Sequence, residues 1–284
     1  MYNYILYRIG ELVTLCLPSK VIYFLAKIIS TLQYIFSETD RVSVRENLKA
    51  IFPGIESKLL RKYTKGVFIN FGLYLANFFK FQKINREYVK KNVCVEGLQY
   101  IDDALSLGKG LIIVGAHIGN WELGGITLGL LGYPVNAVVL PHKHKRVDSF
   151  FNRQRESKNM HVIPLYNAVR GALSAFSHNE IVCLLGDRDF TQGGLVINFF
   201  GKPTMIPKGP AVFSLRNKVP MLCGFTIQEK TGRLRLSFSP LIQFSPSGEY
   251  EKDVRSLIEV YLRQIEECIR SYPQQWAMFR KFWV

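Results

Sequence analysis

The stretch Gly110-Leu-Ile-Ile-Val-Gly-Ala-His-Ile-Gly-Asn-Trp-Glu-Leu-Gly-Gly125 combines the signals of a strand, a turn and a helix in one short run. Residues 111–114 form an apolar run that is typical of a buried β-strand. Glycines then flank a turn that carries His117, and Asn120 is a residue type that caps helix N-termini. A helix is predicted over residues 121–131. The stretch is therefore a strand–turn–helix unit of the kind that builds α/β folds.

The same alternation of strands and helices continues along the rest of the chain. Strands are predicted at residues 111–114, 135–140, 161–165, 181–185, 195–199, 221–227 and 234–239, and helices at 121–131, 147–158, 170–178, 209–217 and 251–271. This order predicts an α/β fold with a mostly parallel central sheet flanked by helices. Ligands of such sheets bind beyond the carboxyl ends of the strands, so chemistry is expected near His117.

Composition limits the function classes that the chain can belong to. The 284 residues include 37 Lys and Arg against 22 Asp and Glu, a formal net charge of +15, and 48% of them are hydrophobic. Disordered tails and nucleic-acid-binding polyelectrolytes are poor in apolar residues, so no nucleic-acid partner is expected. No stretch offers about 20 uninterrupted apolar residues, which argues against a polytopic membrane protein. The remaining partners are an anionic membrane or an acidic protein.

The N-terminal region is apolar but interrupted by charges. Residues 4–17 contain Arg8 and Glu11, and residues 21–36 contain Lys27. Each run is shorter than a comfortable membrane span, which predicts helices lying in a membrane interface. The alternative is a helical hairpin packed on the protein's own core.

The chain is expected to divide into a membrane-associated segment, residues 1–40, and one α/β domain, residues 41–284. Further helices are predicted at residues 45–51 and 56–81. Five widely spaced cysteines without a Cys-x-x-Cys pair fit a reducing, cytosolic environment.

His117 and Glu122 are the first candidates for catalysis. His117 lies in the predicted turn, so helical periodicity does not forbid a contact with Glu122 five residues later. A carboxylate beside an imidazole fixes its tautomer, and the imidazole can then act as a general base on a hydroxyl. The alternative is a histidine bonded to backbone, with Glu122 only favouring the helix dipole.

The segment from His117 to Glu122 resembles the His-x4-Asp/Glu motif of the lysophospholipid acyltransferase superfamily. It is most similar to the branch of bacterial lipid A biosynthesis acyltransferases, the lauroyl and myristoyl transferases. Four further segments match that branch, Arg45-Glu-Asn47 through Phe52-Pro53, Leu185-Gly-Asp187-Arg-Asp189, Phe199-Phe-Gly201 through Lys208-Gly209-Pro210-Ala211, and Tyr272-Pro273-Gln-Gln275-Trp276 with Arg280. The resemblance therefore covers nearly the whole chain. The Asp-Arg-Asp segment is also similar to mycobacterial phosphatidylinositol mannoside acyltransferases, which leaves the acceptor open.

The resemblance implies transfer of a fatty acyl group, typically from acyl carrier protein, to a lipid-borne hydroxyl. Carried over to this chain, His117 would deprotonate the hydroxyl and Glu122 would orient His117. An arginine would stabilise the tetrahedral intermediate, and Arg155 is the closest positional match, with Arg153 as the alternative. The resemblance also implies a location at the cytoplasmic face of the cell inner membrane, where a glycolipid acceptor lies in an anionic membrane.

Other polar residues are candidates for binding substrate. Asp187 or Asp189 would contact the acceptor or hold the arginine in place, unless they only form a solvated turn. Asn120 and Trp121 lie inside the motif and are expected to contact substrate. Residues 141–158 hold six basic residues against two acidic ones. From this block Lys143, Lys145 and Arg146 are expected to meet an acidic carrier protein or headgroup phosphates, the alternative being a solvated basic face.

Two rival classes stay open at this point. His142 and His144 alternate and could assemble a metal site with His117, Asp187 and Asp189, although no His-Glu-x-x-His motif supports a metallohydrolase. A non-enzymatic membrane-binding module would explain charge and hydrophobicity but not the His–Glu motif. No phosphate-binding or dinucleotide-binding glycine motif occurs, so no nucleotide cofactor is expected. Since no compact set of ligands occurs either, the prediction is a site with no metal and no other cofactor.

Overall fold

A computed structural model describes residues 2–229 and 231–283 of the chain, so residues 1, 230 and 284 of the predicted domains lie outside the described residues. The predicted α/β fold with a mostly parallel sheet flanked by helices is confirmed. The strands are β1 (Val93–Glu96), β2 (Leu111–Gly115), β3 (Val135–Val139), β4 (Met160–Pro164), β5 (Ile181–Leu185), β6 (Leu195–Phe199), β7 (Lys202–Ile206), β8 (Met221–Gln228) and β9 (Leu234–Phe238). The helices are α1 (Tyr2–Cys16), α2 (Ser19–Phe36), α3 (Glu38–Ile51), α4 (Ser57–Phe79), α5 (Arg86–Asn92), α6 (Leu98–Ser106), α7 (Trp121–Leu131), α8 (Lys145–Glu156), α9 (Ala168–Ser177), α10 (Gly209–Asn217) and α11 (Tyr250–Ser271).

Seven strands form one sheet in the order β1-β9-β8-β2-β5-β3-β4. The five strands from β8 to β4 are parallel to one another, whereas β9 is antiparallel to β8 and parallel to β1. Strands β6 and β7 form a separate antiparallel hairpin. Gly115 at the end of β2 pairs with Leu185 at the end of β5. The turns after these two central strands therefore lie side by side.

Two strands and two helices are absent from the prediction. Strand β7 contains Pro203, which has no N–H to donate and is typical of edges or turns. Strand β1 has four residues at the sheet edge, too few for an alternating pattern to stand out. The missed helices, α5 and α6, have only seven and nine residues.

The core lies on both faces of the sheet, as the alternation along β2 requires. Ile112 and Val114 pack with Tyr261 of α11 on one face. Leu111 and Ile113 pack with helices α7 and α8 on the other. All five residues of β2 are buried, so the strand is held from both sides and presents only its carboxyl end to ligands.

The N-terminal helices pack on the body of the protein through their inner faces. Glu11 of α1 is buried and accepts a hydrogen bond from Gln82 at 2.8 Å and one from Gln154 at 2.5 Å. Helix α2 approaches α4 so closely that a Cβ on Gly72 would lie 1.9 Å from Oγ of Ser30. The outer faces are exposed and apolar. Over the described residues, no helix is both long enough and apolar enough to cross a membrane. The predicted division at residue 40 stays a prediction.

Candidate active site

His117 lies in the turn between β2 and α7, at the carboxyl edge of the parallel strands. Its Nδ1 is 2.8 Å from Oδ1 of Asp187, in the turn after β5. The pairing of Gly115 with Leu185 makes these turns neighbours, because each polar residue lies two positions beyond its strand's paired end. The imidazole is 13% exposed and the carboxylate fully buried, so the pair opens to the surface through the histidine.

The Asp187 carboxylate is held by three hydrogen-bonding groups. Besides the imidazole, its Oδ2 accepts from the backbone N–H of His117 and from Nε1 of Trp276, each at 3.0 Å. Burial alone raises the pKa of this carboxyl, but the charge and hydrogen bonds of His117 and the bond from Trp276 bring it below its ordinary value. An ionised Asp187 favours the Nδ1–H tautomer of His117, which leaves Nε2 to accept a proton.

The turn that carries His117 is fixed by close backbone contacts with β8 and with a later segment. Gly119 has a φ of +63°, and a Cβ there would lie 2.0 Å from the carbonyl oxygen of Thr226. The Gly119 N–H donates to the carbonyl of Gln275 at 3.0 Å, and the Ala277 N–H donates to the carbonyl of His117 at 2.7 Å. Residue 119 must therefore be glycine for the turn to keep this path.

Glu122 pairs with Arg155 and not with His117, which corrects the predicted His–Glu contact. Nε of Arg155 donates to one carboxylate oxygen at 2.9 Å and its second terminal nitrogen to the other at 2.5 Å. Both side chains are only 9% exposed. Burial alone lowers the pKa of Arg155, but the charge and hydrogen bonds of Glu122 outweigh it and raise the net value. The physical reason is reach, because α7 directs Glu122 toward α8 while β5 brings Asp187 to His117.

Aromatic side chains lie between the His117–Asp187 pair and the Glu122–Arg155 pair. The ring centre of Trp121 lies 5.4 Å from that of His117 and 4.3 Å from that of Tyr74, on which it is stacked. Burial and the nearby Glu122 raise the pKa of Tyr74 well above its ordinary value, while Arg155 opposes the shift. Sequence reasoning does not identify Tyr74, whose only signal is the aromatic composition of α4.

Trp276 is a second residue that sequence reasoning leaves without a role. It is buried, and it lies 89 residues from the Asp187 carboxylate that it contacts. Its signal is its place in the matching segment 272–276, which says nothing about the direction of its indole N–H. The contact depends on the path of the chain after α11, and that path is a tertiary feature.

The remaining candidates take different positions. Arg153 is exposed, whereas Arg155 is buried, so these two arginines of α8 have separate environments. The Asp189 carboxylate accepts hydrogen bonds from the N–H and hydroxyl of Thr191 at 2.9 and 2.8 Å and from the Gly194 N–H at 3.2 Å. Burial raises the pKa of Asp189, but these hydrogen bonds bring the net value below its ordinary range. The Asp189 carboxylate thus stabilises its own loop. The sequence predicts that Asp187 or Asp189 holds the arginine, but Glu122 is the residue that pairs with Arg155.

Asn120 is the N-cap residue of α7, as predicted. Its Oδ1 accepts from the N–H of Leu123 at 3.2 Å, while its Nδ2 is buried and has no hydrogen-bond partner in the described part of the chain. A small pocket behind the turn is lined by further amide side chains together with Asn120, namely Asn70, Asn77, Gln228 and Gln275. This lining suits a hydrogen-bonding group better than an acyl chain.

The basic block at the start of α8 lies at the surface. Lys143, Lys145 and Arg146 are all exposed, as is His144. His142 packs with its ring centre 4.5 Å from that of Phe151, and burial followed by the charge of Arg155 lowers its pKa. In the part of the chain that the structure describes, no three histidine, cysteine, aspartate or glutamate side chains are grouped to hold a metal ion.

Comparison with known proteins gives one family match and several relatives. Residues 1–284 match the family described as bacterial lipid A biosynthesis acyltransferase. A phosphatidylinositol mannoside acyltransferase of Mycobacterium tuberculosis is 27% identical over 221 residues, which cover 76% of this chain and 68% of that protein. A lipid A biosynthesis palmitoleoyltransferase of Escherichia coli is 28% identical over 271 residues, which cover 94% of this chain and 86% of that protein. These two relatives are named for different lipids.

Proposed function

Since the chain belongs to the bacterial lipid A biosynthesis acyltransferase family, we propose that this acyltransferase moves a fatty acyl group from acyl carrier protein to a hydroxyl of a lipid A precursor or a similar glycolipid. This family match agrees with the resemblance that the sequence motifs of the chain indicate. The observation that carries the proposal is the pair formed by His117 and the buried Asp187 at the carboxyl edge of the sheet. A general base held by an anion suits attack by a hydroxyl on a thioester.

The proposed reaction proceeds without an acyl-enzyme. Nε2 of His117 takes the proton from the acceptor hydroxyl while the oxygen forms a bond to the thioester carbonyl carbon. The tetrahedral intermediate then collapses, the carbon–sulfur bond breaks, and the departing thiolate takes the proton from the imidazolium. An ester and a free thiol result, and His117 returns to its neutral form. Asp187 stabilises the imidazolium in between, without itself taking the proton.

Glu122 and Arg155 act as positioning residues in this proposal, which differs from the catalytic roles that the family resemblance implied. Glu122 uses both carboxylate oxygens on Arg155, and Asn152 accepts a further hydrogen bond from the guanidinium at 3.0 Å. The pair ties the first turn of α7 to α8. Since Trp121 of that turn contacts His117, the pair fixes the surroundings of the base.

The charge of the basic block supports the choice of acyl carrier protein as donor. Lys143, Lys145, Arg146 and Arg153 are exposed on one short segment, and acidic partners are attracted to such a surface. Replacing Lys143 and Lys145 by glutamine should raise KM for acyl carrier protein at low salt and leave KM for a small acyl thioester unchanged. A double variant with an unchanged KM for the carrier would contradict this part of the proposal.

The apolar outer faces of α1 and α2 support association with the cytoplasmic face of the inner membrane. Twelve large apolar side chains are exposed on these two helices and their connection, namely Ile5, Leu6, Ile9, Leu12, Leu17, Val21, Phe24, Ile28, Ile29, Leu32, Ile35 and Phe36. Such a patch is larger than monomeric proteins usually expose to water. Flotation with vesicles of phosphatidylethanolamine and phosphatidylglycerol should be lost with Phe24→Glu and Ile29→Glu combined. Val169→Glu, at an equally exposed apolar position on α9, is the matched control, and equal flotation of both variants would contradict the proposal.

The catalytic proposal is tested with purified protein, labelled acyl carrier protein and a panel of lipid acceptors. The panel contains a lipid A precursor, a phosphatidylinositol mannoside and a lysophospholipid, and mass spectrometry reads the product. His117→Ala should abolish transfer while the protein stays folded, and His161→Ala, at an exposed position in β4, should leave it unchanged. Full transfer by a folded His117→Ala protein would refute the role of this residue. The panel also decides between the acceptors named for the two groups of relatives.

A further inference from the structure

Two arginines meet at Phe190, next to His117. Arg188 directly follows Asp187, and Arg280 follows Trp276 by four positions. The guanidinium carbons of Arg188 and Arg280 lie 4.8 and 5.3 Å from the centre of the Phe190 ring. That ring centre lies 6.3 Å from the centre of the His117 imidazole. Asp187 contacts the proposed base, and Trp276 donates a hydrogen bond to Asp187. Each of these two residues therefore has an arginine close by in the chain, and both arginines lie over the same aromatic ring.

Neither guanidinium is neutralised by a carboxylate. In the residues that the structure describes, no carboxylate oxygen of Asp or Glu lies within 4.0 Å of a guanidinium nitrogen of Arg188 or Arg280. Asp187 is occupied by His117 and Trp276. Within the described residues, the Arg280 guanidinium donates one hydrogen bond, to the backbone carbonyl of Asp189 at 3.3 Å. The Nε atom of Arg188 is buried and has no hydrogen-bond partner among residues 2–229 and 231–283.

Two like charges held close together without a counter-ion repel each other, and this repulsion affects the pKa of Arg188. Burial and then the charge of Arg280 lower the pKa of Arg188, against the opposing effect of Asp187. An anionic ligand removes both penalties, because it offsets the repulsion and satisfies the buried N–H group. Guanidinium groups stacked on an aromatic ring keep their N–H edges free, and those edges match phosphate oxygens in a bidentate manner.

We propose that Arg188 and Arg280 together bind a phosphate group of one of the two substrates beside His117. The assignment of the phosphate to a substrate rests on the proposed acyl transfer. The existence of a phosphate-binding site does not depend on that proposal. A phosphate at this point holds a substrate within reach of the base. Two sources carry the same chemistry, the headgroup phosphate of the glycolipid acceptor and the phosphodiester of the pantetheine arm on the donor.

Steady-state kinetics distinguish the two sources. The acceptor is a phosphorylated glycolipid or the same lipid after phosphatase treatment, and the donor is acyl carrier protein or an acyl N-acetylcysteamine thioester, which has no phosphate. Arg188→Gln and Arg280→Gln should each raise KM about tenfold or more for the phosphate-bearing form of one substrate, the loss expected for a charge-assisted contact. They should leave KM for the phosphate-free form of that substrate unchanged. A KM that is unchanged throughout, or equally raised for both forms, overturns the proposal.

A binding measurement tests the site without turnover. Titration of the protein with inorganic phosphate, followed by phosphorus NMR, should show binding by the wild type and by His117→Ala, and weaker binding by Arg188→Gln and Arg280→Gln. Arg216→Gln is the matched control, because Arg216 also lies over an aromatic ring, Tyr250, but at the opposite edge of the sheet. Equal binding by all variants overturns the proposal. Arginine-dependent binding by a protein that transfers no acyl group leaves the site standing and refutes only the proposed function.

Discussion

Replacing Glu122 by glutamine removes the charge that faces the buried guanidinium of Arg155. The side chains are each 9% exposed and share two hydrogen bonds, of 2.9 and 2.5 Å. Glutamine keeps one oxygen acceptor but leaves Arg155 charged and uncompensated in a site that water barely reaches. Breaking a buried ion pair from one side costs about 3–5 kcal/mol, which is a large part of the roughly 5–15 kcal/mol that keeps a domain folded.

Urea denaturation followed by circular dichroism measures this loss. A fall of the midpoint by roughly 1–2 M is expected for Glu122→Gln. Adding Arg155→Met removes the second charge as well, so the double variant should recover most of the loss. Glu96→Gln is the matched control, because the 52% exposed Glu96 pairs with Arg235 at 3.6 Å, and a surface pair contributes less than about 1 kcal/mol.

The same variants decide between the two roles considered for Glu122. If Glu122→Gln keeps the wild-type midpoint and loses acyl transfer as completely as His117→Ala, then Glu122 acts on His117 directly and the assignment to Arg155 is refuted. If stability falls and the double variant restores both stability and part of the activity, Glu122 is a positioning residue. The family motif alone cannot make this distinction, because both roles place the acid at the same position.

Three further outcomes are expected. Asp187→Asn should lower the free energy of unfolding at neutral pH, and urea titrations at several pH values should show the gap to the wild type closing on acidification. The reason is that the lowered pKa of Asp187 gives stability that is complete above pH about 4 and lost as pH falls through the folded-state value. Gly72→Val should lower Tm by roughly 4–8 °C, because its Cβ would overlap Ser30, whereas Gly209→Ala, whose Cβ would meet nothing, should leave Tm unchanged. Trp276→Phe should reduce kcat about tenfold with little change in KM, since the Asp187 carboxylate loses one of its donors; an unchanged kcat would contradict that role.

The layout of the sheet follows from the sequence wherever strands are apolar and well separated. The strand predictions for β5 and β6 agree with the structure to the residue, because both runs are bounded by turn residues. The antiparallel insertion of β9 between β8 and β1 is different, since strand direction leaves no mark on apolar alternation. The position and direction of β9 in the sheet depend on how it packs against its neighbours β8 and β1.

The site shows the same division between local and non-local information. His117 and Asn120 are identifiable because their signals lie within one strand–turn–helix unit. The partner of His117 is 70 residues away, and its proximity comes from the pairing of β2 with β5. Sequence reasoning instead paired His117 with the acid nearest along the chain. Asp187 is one of the predicted site residues, but only the order of the strands shows which side chain it contacts.

The order in which a ribosome produces the chain gives the contact between Trp276 and Asp187 a consequence for biosynthesis. Strands β2 and β5 emerge early, but the indole that donates to Asp187 and the N–H of Ala277 that holds the His117 turn emerge only at residues 276 and 277. A nascent chain that stops at residue 274 has the sheet but lacks both contacts. Contacts this distant in sequence form late in folding. The pair of His117 and Asp187 therefore gains these two supporting contacts only after residues 276 and 277 have been translated and folded against the sheet.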